Sequence, residues 1–305
     1  MTKVFIDGSA GTTGLRIADR LKERSDIELI TLPDADRKDP KKRKEAVNFA
    51  DICFLCLPDE AARETVAMVE NPDTTVIDTS TAHRVSPDFV YGFPEVIGRG
   101  RIKNSKRIAN PGCHATGFIS LVFPLVKQKI IKPDARLCCF SITGYSGGGK
   151  RMIAEYESDG RSVLLGAPRQ YGLSQQHKHL KEMAAVTGLL NPPVFCPVVG
   201  DFYSGMEVTV TLNKSDFSAS LSEIEEVYKS FYTGRVVSFS DEQEKGFLSA
   251  GILSGKDSMT VSAFGNDDRV ILVSRFDNLG KGASGAAVQN MNIVMGIDET
   301  EGLVL

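Results

Sequence analysis

Residues 3–24 read KVFIDGSAGTTGLRIADRLKER: an apolar run, a glycine-rich turn and a segment of helical periodicity. The turn that follows the predicted strand Lys3–Asp7 has the spacing G-x-x-G-x-x-G. Glycines at this spacing let the backbone approach a pyrophosphate, whose charge is met by free amides and by the positive end of the helix dipole. The stretch therefore predicts a dinucleotide-binding βαβ unit. Its expected cofactor contacts are Gly8, Ser9, Gly11, Thr12, Thr13 and Gly14.

Downstream of this turn, short apolar runs continue to alternate with helical segments, which is typical of a parallel sheet in an α/β fold. The runs are Ile27–Leu32, Asp51–Leu57, Thr75–Asp78 and Lys106–Ala109, and helical periodicity marks Leu15–Arg24 and Ala61–Val69. We therefore predict a Rossmann dinucleotide-binding domain over residues 1–113.

After Pro133 the strand-like runs become longer, which favours an α+β domain with a mixed or antiparallel sheet over residues 114–282. Its predicted strands are Arg136–Thr143, Met206–Leu212, Met259–Ala263 and Val270–Phe276, and its predicted helices are Gly149–Ser158, Gln176–Thr187 and Leu221–Phe231. A last helical stretch, 283–296, follows a glycine-rich turn. We expect residues 283–305 to complete the first domain.

Composition narrows the possible functions. The chain has 305 residues, 42% of them hydrophobic, and a net charge of -3, so a packed core is expected and a nucleic-acid binder is not. No apolar run is long enough to span a membrane, and the first residues leave no room for a targeting segment. Six cysteines without paired spacing indicate reduced thiols, as in the cytoplasm.

The choice of dinucleotide depends on the end of the second predicted strand. Asp34 lies about 20 residues past Gly14, where an acidic group would hold a free ribose hydroxyl. Arg37 and Lys38 follow, and these side chains could bind a 2′-phosphate. NADP is favoured, although not by these residues alone. The basic run continues through 41–44, for which a solvated surface is an equally good interpretation.

Cys113 lies in the sequence NPGCHATG, after the strand Lys106–Ala109 and before an apolar stretch. This places it at or near a helix N-terminus, where the helix dipole and unpaired amides stabilise a thiolate. For the other five cysteines a structural role is the better interpretation. Two of them, Cys53 and Cys56, lie in a predicted buried strand. We expect no metal site there.

A thiolate nucleophile needs a proton carrier, and two of the four histidines, His177 and His179, open a predicted helix together. Glu182 lies three residues past His179, near enough on a helix to orient an imidazole. The choice between the two histidines stays open, and both could instead be exposed polar residues. His114 follows Cys113, but adjacent helical residues do not face each other. At the end of the glycine loop 144–150, Lys150 or Arg151 could meet a carboxylate, or both could be surface bases.

Taken together, these motifs resemble the N-acetyl-gamma-glutamyl-phosphate reductases, specifically their shorter type, over nearly the whole chain. The resemblance rests on the glycine turn and on DTSTAHR (78–84), YGFPE (91–95), NPGC with ATG (110–117), GYSGGGK (144–150) and GKGASGAAVQN (280–290). His114 departs from the longer type, which usually has an aromatic residue there, and its role stays open.

The resemblance implies an NADPH-dependent acyl-phosphate reductase of arginine biosynthesis that forms a thioester on Cys113, with His177 or His179 as the acid/base. It also implies a catalytic domain that dimerises, and a homodimer or homotetramer that acts on small molecules. It adds Ser80 and Asn290 to the expected cofactor contacts, and the expected substrate contacts are Arg84, Asn110, Tyr145 and Lys150. Two alternatives are a sibling reductase of aspartyl or carrier-linked acyl phosphates, and a non-catalytic NADP-binding sensor.

Overall fold

The chain divides into two compact units in a computed structural model that describes residues 1–305. The first unit contains Met1–Pro111 and Ala283–Leu303, and the second contains Gly112–Gly282 and Val304–Leu305. No helix is both long enough and apolar enough to cross a bilayer.

The first unit is built on a six-stranded sheet in the order β2-β1-β3-β4-β6-β5, and every strand pair is parallel. The strands are β1 (Thr2–Asp7), β2 (Ile27–Ile30), β3 (Ile52–Leu55), β4 (Thr75–Asp78), β5 (Val90–Tyr91) and β6 (Arg107–Ala109). The helices are α1 (Thr12–Leu21), α2 (Pro40–Phe49), α3 (Asp59–Met68), α4 (Pro94–Ile97), α5 (Arg99–Lys103) and α10 (Gly285–Met295).

Successive side chains of each strand point to opposite faces of the sheet, so the core of this unit has two layers. Val4 and Ile6 of β1 pack with Ile17 of α1 and with residues of α10. Phe5, which lies between them in β1, packs on the opposite face with α2 and α3. Helices therefore cover both faces, as expected for a doubly wound, Rossmann-like sheet. Because α10 contributes to one of these layers, the last part of the chain belongs to the core of the first unit.

The second unit is an α+β structure on a seven-stranded mixed sheet in the order β11-β12-β13-β10-β7-β9-β8. Its strands are β7 (Cys138–Gly144), β8 (Arg169–Gln170), β9 (Val194–Gly200), β10 (Met206–Asn213), β11 (Val237–Phe239), β12 (Met259–Gly265) and β13 (Arg269–Phe276). Its helices are α6 (Cys113–Lys127), α7 (Gly149–Glu157), α8 (His179–Thr187) and α9 (Leu221–Phe231).

One face of this sheet is covered by α6, whose Gly117 lies directly against Val208 of β10. Ser141 and Cys139 of β7 are buried on the covered side, while Phe140 between them is 40% exposed. The opposite face therefore exposes some apolar side chains, although Arg275 on the same face is buried against Glu244. Ser141 points towards α6, and its hydroxyl contacts the side chain of His114 in the first turn of that helix.

The fold class is the predicted one, and the differences lie in single elements. The predicted helix Gln176–Thr187 begins only at His179, because His177 and the residues before it form a loop. Val194–Gly200 was missed, since Pro197 within it argues against a strand. The basic run after Asp39 forms α2, and Arg43 in it is buried, so a solvated surface is the wrong interpretation for this residue.

Candidate active site

The glycine turn of the first unit has the geometry of an anion-binding helix start. Gly8 has φ +87°, and a Cβ there would overlap the carbonyl oxygen of Cys56. Gly11 is the N-cap of α1, with no capping side chain, and the first helical turn has no acidic residue. The first amides of α1 therefore lack both a side-chain cap and a carboxylate, so they are suited to a phosphate group.

A cavity of about 390 Å³ lies beside this turn and is lined by Gly8 and Ser9 together with Arg37 and Lys38. Asp34, the competing ribose ligand, is not part of its lining. It is strongly exposed and pairs with Arg37 at 2.9 Å. The cavity residues fit a dinucleotide, since the turn and the two bases border one space.

Arg43 also lines this cavity, although the sequence did not single it out as a site residue. Its guanidinium bonds the carboxylate of Asp7 at 2.9 Å and the hydroxyl of Thr65. The side chains of Arg43 and Asp7 are both buried. This ion pair fixes the end of β1, directly before Gly8.

The other predicted contacts in the first unit form a separate hydrogen-bonded group. Asn290 donates to Asn110 Oδ1 at 3.2 Å and to the Gly92 carbonyl at 2.9 Å. Arg84 donates to the carbonyl of Asn110 at 3.0 Å. Ser80 is buried and bonds Asp78 through its amide and its hydroxyl, each at 2.8 Å. The structure thus joins three residues that lie far apart in sequence, Arg84, Asn110 and Asn290.

Cys113 is the first residue of α6, where the sequence predicted a helix N-terminus. It is partly exposed, unlike Cys53 and Cys139, which are buried. A Cβ on Gly282 would lie 2.9 Å from the Cβ of Cys113, so the backbone of the turn passes close to the thiol residue. The amide of Gly112 donates to Glu182 Oε2 at 3.2 Å. This bond holds the residue before the thiol against α8.

Near this helix start, a histidine cluster gathers five rings: His114, Tyr171, His177, His179 and Phe195. The ring centroids of His177 and His179 are 4.7 Å apart, and those of His114 and His179 are 5.5 Å apart. His179 Nε2 lies 3.9 Å from Glu182 Oε1. The pairing of a histidine with Glu182 that the sequence suggested therefore falls on His179.

The loop that carries Tyr171 and His177 is tied to β9. The side chain of Gln175 donates to the carbonyl of Phe195 at 2.8 Å and accepts from its amide at 2.9 Å, so it imitates a neighbouring strand. The amide of Tyr171 donates to the carbonyl of Pro197 at 3.0 Å. These bonds hold the aromatic side chains of the loop in place without regular secondary structure.

His114, which the sequence left without a role, is at the centre of the cluster. Its Nδ1 lies 2.7 Å from Ser141 Oγ and its Nε2 lies 2.6 Å from Tyr171 Oη. Burial, together with the charge of His177, lowers the pKa of His114 to about 3, so the ring is neutral at pH 7. Burial and the nearby Cys113 raise the pKa of the Tyr171 phenol, which therefore keeps its proton.

Two predicted substrate residues of the second unit lie outside the cluster. Tyr145 stacks on Tyr156 at 4.7 Å and donates to Glu157 at 3.2 Å. Lys150 is exposed on α7 and forms no ion pair. No hydrogen bond or ring contact joins either residue to the histidine cluster, so their predicted role stays a prediction.

The remaining thiols have the character of structural cysteines. Burial raises the pKa of Cys56 to about 12, and burial also raises that of Cys139. No group of three or more histidine, cysteine or carboxylate side chains is arranged to hold a metal ion.

Sequence reasoning missed Tyr171, Ser141 and Arg43. Tyr171 and Ser141 come together through long-range strand pairing, for which no local pattern exists. Arg43 did leave a signal, because Arg43, Ala46 and Val47 share one helix face, and that face is buried.

Comparison with known proteins gives two family matches in successive parts of the chain. Residues 3–105 match the family described as semialdehyde dehydrogenase, NAD binding domain. Residues 113–278 match the family described as semialdehyde dehydrogenase, dimerisation domain.

Curated relatives align along almost the entire chain. The protein named N-acetyl-gamma-glutamyl-phosphate reductase 2 from Nostoc sp. is 44% identical over 99% of both chains. The reductase of that name from Burkholderia ambifaria is 42% identical over 96% of both chains. Among solved structures, aspartate semialdehyde dehydrogenase II from Vibrio cholerae has a TM-score of 0.73 at 16% identity, covering 97% of this chain and 99% of that chain. The aspartate semialdehyde dehydrogenase from Francisella tularensis has a TM-score of 0.71 at 14% identity, covering 97% of this chain and 100% of that one.

Proposed function

The chain belongs to the N-acetyl-gamma-glutamyl-phosphate reductase family, and from that premise we propose that it reduces N-acetyl-L-glutamyl 5-phosphate to N-acetyl-L-glutamate 5-semialdehyde and phosphate. The reaction is a step of arginine biosynthesis. The observation that carries the proposal is Cys113, a partly exposed thiol on the first residue of α6 in the unit that also holds the histidine cluster. The domain assignment that we propose is a cofactor domain (1–113 with 283–305) and a catalytic domain (114–282).

Chemically, the Cys113 thiolate attacks the acyl carbonyl, and the carbon–oxygen bond to phosphate breaks as phosphate leaves with the electron pair. The first-turn amides of α6, which cannot bond within the helix, stabilise the oxyanion of the tetrahedral intermediate. NADPH, when bound, supplies the hydride that reduces the thioester carbonyl. An imidazole that has taken the proton of the Cys113 thiol returns it to the sulfur as the carbonyl re-forms and the carbon–sulfur bond breaks, which releases the aldehyde and the thiol.

For the proton carrier, the contacts favour His179 over His177. His179 is buried beside the carboxylate of Glu182, which can stabilise an imidazolium. His177 Nδ1 accepts the backbone amide of His179 at 3.3 Å, so this nitrogen is engaged at the start of α8. Both histidines lie in the same cluster, and we propose that His179 carries the proton while His177 contacts the substrate.

NADP is the dinucleotide that we propose, because Arg37 and Lys38 both line the cavity beside the glycine turn, whereas Asp34 does not. Arg37→Ala and Lys38→Ala should each raise the KM for NADP about tenfold and leave the KM for NAD nearly unchanged. Lys41→Ala is the matched control, since Lys41 is an exposed base on the neighbouring helix and lies outside the cavity lining. Equal effects on both dinucleotides would contradict a 2′-phosphate site.

The proposed substrate contacts differ in how they are bonded. Arg84 and Asn110 are held in the hydrogen-bonded group of the first unit, and Tyr145 bonds Glu157. Lys150 keeps an unpaired exposed charge, so it is the most available of the four for a phosphate or carboxylate. These roles rest on the family resemblance.

We propose self-association from exposed apolar residues on the face of the mixed sheet opposite α6. Phe140 and Ile271 are each 40% exposed there, and Val194 is 58% exposed. A second copy of this chain is the expected occupant, since this unit matches a dimerisation domain. Phe140→Asp should shift the sedimentation coefficient to that of a smaller species. A wild-type protein that sediments as a monomer would contradict the proposal.

The decisive assay runs the reaction in reverse, as phosphate-dependent reduction of NADP with N-acetyl-glutamate semialdehyde or with aspartate semialdehyde. We expect turnover with the first substrate and little with the second. Cys113→Ser should abolish turnover and leave NADPH binding intact, while Cys138→Ser, a half-buried thiol on β7, serves as control. A preference for aspartate semialdehyde would make the chain a sibling reductase. NADPH binding without any turnover would favour a sensor.

A further inference from the structure

Asp7 and Arg43 form an ion pair inside the first unit, and both residues line the cavity beside the glycine turn. Asp7 is 4% exposed and Arg43 is 8% exposed. Asp7 is the last residue of β1 and Arg43 belongs to α2, so the pair connects the sheet with a helix that covers it. Two buried charges are costly to desolvate and often add little net stability, so a role in stability alone explains the pair poorly.

The hydrogen bonds of the pair use only part of each charged group. Arg43 donates through Nε at 3.2 Å and through Nη2 at 2.9 Å, and both bonds go to the same oxygen, Asp7 Oδ2. The hydroxyl of Thr65 also donates to Asp7 Oδ2, at 2.8 Å. Arg43 Nη1 and Asp7 Oδ1 therefore have no hydrogen-bond partner within the chain.

Both of these atoms face the cavity. Polar atoms that are sealed in the interior without a partner occur at Tyr156 Oη and Ser274 Oγ, for example, but not in this pair. Because Asp7 and Arg43 line the same cavity and bond each other directly, a fixed N–H donor and a fixed acceptor oxygen lie next to each other at its wall.

The charge of the pair indicates what it can bind. The positive charge of Arg43 is compensated by Asp7, whereas Lys38, which lines the same cavity, is exposed and forms no ion pair. The phosphate groups of a dinucleotide also have the free amides of the glycine turn. The compensated pair is therefore better suited to a neutral group that presents a donor beside an acceptor.

The rest of the cavity favours a flat group with apolar faces. Its lining includes Leu32, Leu57 and Ala61, whose side chains are partly exposed. Adenine has apolar faces, and its edge places the 6-amino donor beside a ring nitrogen that accepts. This edge is complementary to Asp7 Oδ1 and Arg43 Nη1. A ribose would leave the apolar walls of the cavity without a matching surface.

We infer that Asp7 and Arg43 recognise the adenine base of the cofactor: Asp7 Oδ1 accepts a hydrogen bond from the 6-amino group, and Arg43 Nη1 donates to the ring nitrogen beside it. The inference rests on the proposed function for the identity of the ligand as a nicotinamide dinucleotide. No covalent bond is made or broken. Because NAD and NADP have the same base, the pair contributes equally to both, unlike the 2′-phosphate contacts proposed for Arg37 and Lys38.

The first test compares the binding of NADP with that of its hypoxanthine analogue, in which an oxygen replaces the 6-amino group. The analogue turns an acceptor towards Asp7 Oδ1, so the buried carboxylate oxygen loses its donor. Titration calorimetry on the wild-type protein should give a Kd about tenfold higher for the analogue than for NADP. NAD and its hypoxanthine analogue should differ by the same factor. A wild-type ratio of Kd values near one would overturn the inference.

The variant Asp7→Asn tests the acceptor without changing the size of the side chain. The amide oxygen stays with Arg43 and Thr65, so the amide N–H₂ takes the position of Oδ1 and faces the base as a donor. The analogue should then bind as well as NADP or better, and the ratio of Kd values should fall to about one or below. Asp34→Asn is the matched control, since Asp34 is exposed and lies outside the cavity lining, and its ratio should equal that of the wild type. A merely structural role of Asp7 would weaken both ligands alike and leave the ratio unchanged.

The variant Arg43→Lys tests the donor. Lysine keeps the charge that Asp7 needs but lacks the second N–H₂ group of the guanidinium. The Kd values for NADP and NAD should both rise about tenfold, whereas Arg37→Ala should weaken NADP alone and keep the ratio between adenine and hypoxanthine ligands. Unchanged Kd values in Arg43→Lys, or a loss confined to NADP, would overturn the inference. The wild-type ratio and this variant test the inference even where Asp7→Asn does not fold.

These binding measurements need no turnover, so the two proposals can fail separately. Turnover with N-acetyl-glutamate semialdehyde together with a wild-type ratio near one would retain the enzyme and reject the contact with the base. The predicted ratio, and its loss in Asp7→Asn, in a protein without turnover would reject the enzyme and retain the contact. A wild-type protein that binds neither dinucleotide would reject both.

Discussion

The substitution Gly282→Ala tests how closely the backbone at Gly282 approaches Cys113, the proposed nucleophile. A Cβ at this position would lie 2.9 Å from the Cβ of Cys113 and 3.1 Å from the carbonyl oxygen of Asp277. Carbon atoms in good contact are about 3.5 Å apart, so Gly282→Ala forces a displacement of roughly 0.6 Å. The backbone at Gly282 does not have a positive φ, so alanine meets a steric obstacle there and no conformational one.

Two opposing effects set the expected loss of stability. Overpacking costs about 1–3 kcal/mol, and the reduced freedom of the unfolded chain recovers about 0.4–1 kcal/mol. The free energy of unfolding should therefore fall by about 1–2 kcal/mol, which lowers the Tm by about 2–8 °C for a unit of this size. A misplacement of about 1 Å costs about a hundredfold in rate, so we expect a roughly tenfold loss of kcat.

The assay combines urea unfolding with phosphate-dependent NADP reduction. Gly166→Ala is the control, because Gly166 is exposed and a Cβ at that position would have no other atom within 4 Å. It should change the free energy of unfolding by less than about 0.5 kcal/mol. Wild-type stability and kcat in Gly282→Ala would refute the claimed close approach to Cys113.

Other predictions concern reactivity, buried charge and pH. Iodoacetamide at pH 7.5 should modify Cys113 first and leave Cys56, with its pKa of about 12, almost unmodified in the folded protein, as mass spectrometry can show; equal rates would contradict this. Arg43→Leu leaves Asp7 as an unpaired buried carboxylate, so the free energy of unfolding should drop by about 3–5 kcal/mol in urea titrations. The pKa of His114 is lowered to about 3 in the folded state, so the unfolded state binds the extra proton below pH 6.5. Stability should therefore fall by up to about 1.4 kcal/mol per pH unit between pH 6 and pH 4, and His114→Gln should lack this slope.

Local patterns were sufficient for much of the fold. The strand Lys3–Asp7 and its glycine turn lie within one stretch of chain, as does the start of α6 at Cys113. The helix Leu221–Phe231 is found at its predicted bounds, because Ser220 and Glu223 form a capping box that marks its start. In each case the residues that determine the element lie within it or directly beside it in sequence.

The interior of the candidate site depends on contacts that no local pattern encodes. His114 meets Tyr171 across 57 positions and Ser141 across 27, and Gly112 meets Glu182 across 70. The rule that adjacent helical residues face different ways correctly separated His114 from Cys113. It could not reveal that a tyrosine from a distant loop forms a hydrogen bond with His114.

The discontinuity of the first unit bears on the order of events during synthesis. Ala287, Val288 and Met291 of α10 complete a hydrophobic layer whose other members, apart from their neighbours at the end of the chain, precede residue 111. When only the strands of the first sheet have been synthesised, this hydrophobic layer still lacks the residues of α10. Apart from Val304–Leu305, the second unit has been synthesised before α10, so it should fold before the first unit does. Removal of roughly the last twenty residues should therefore destabilise the N-terminal sheet, to which α10 contributes core residues.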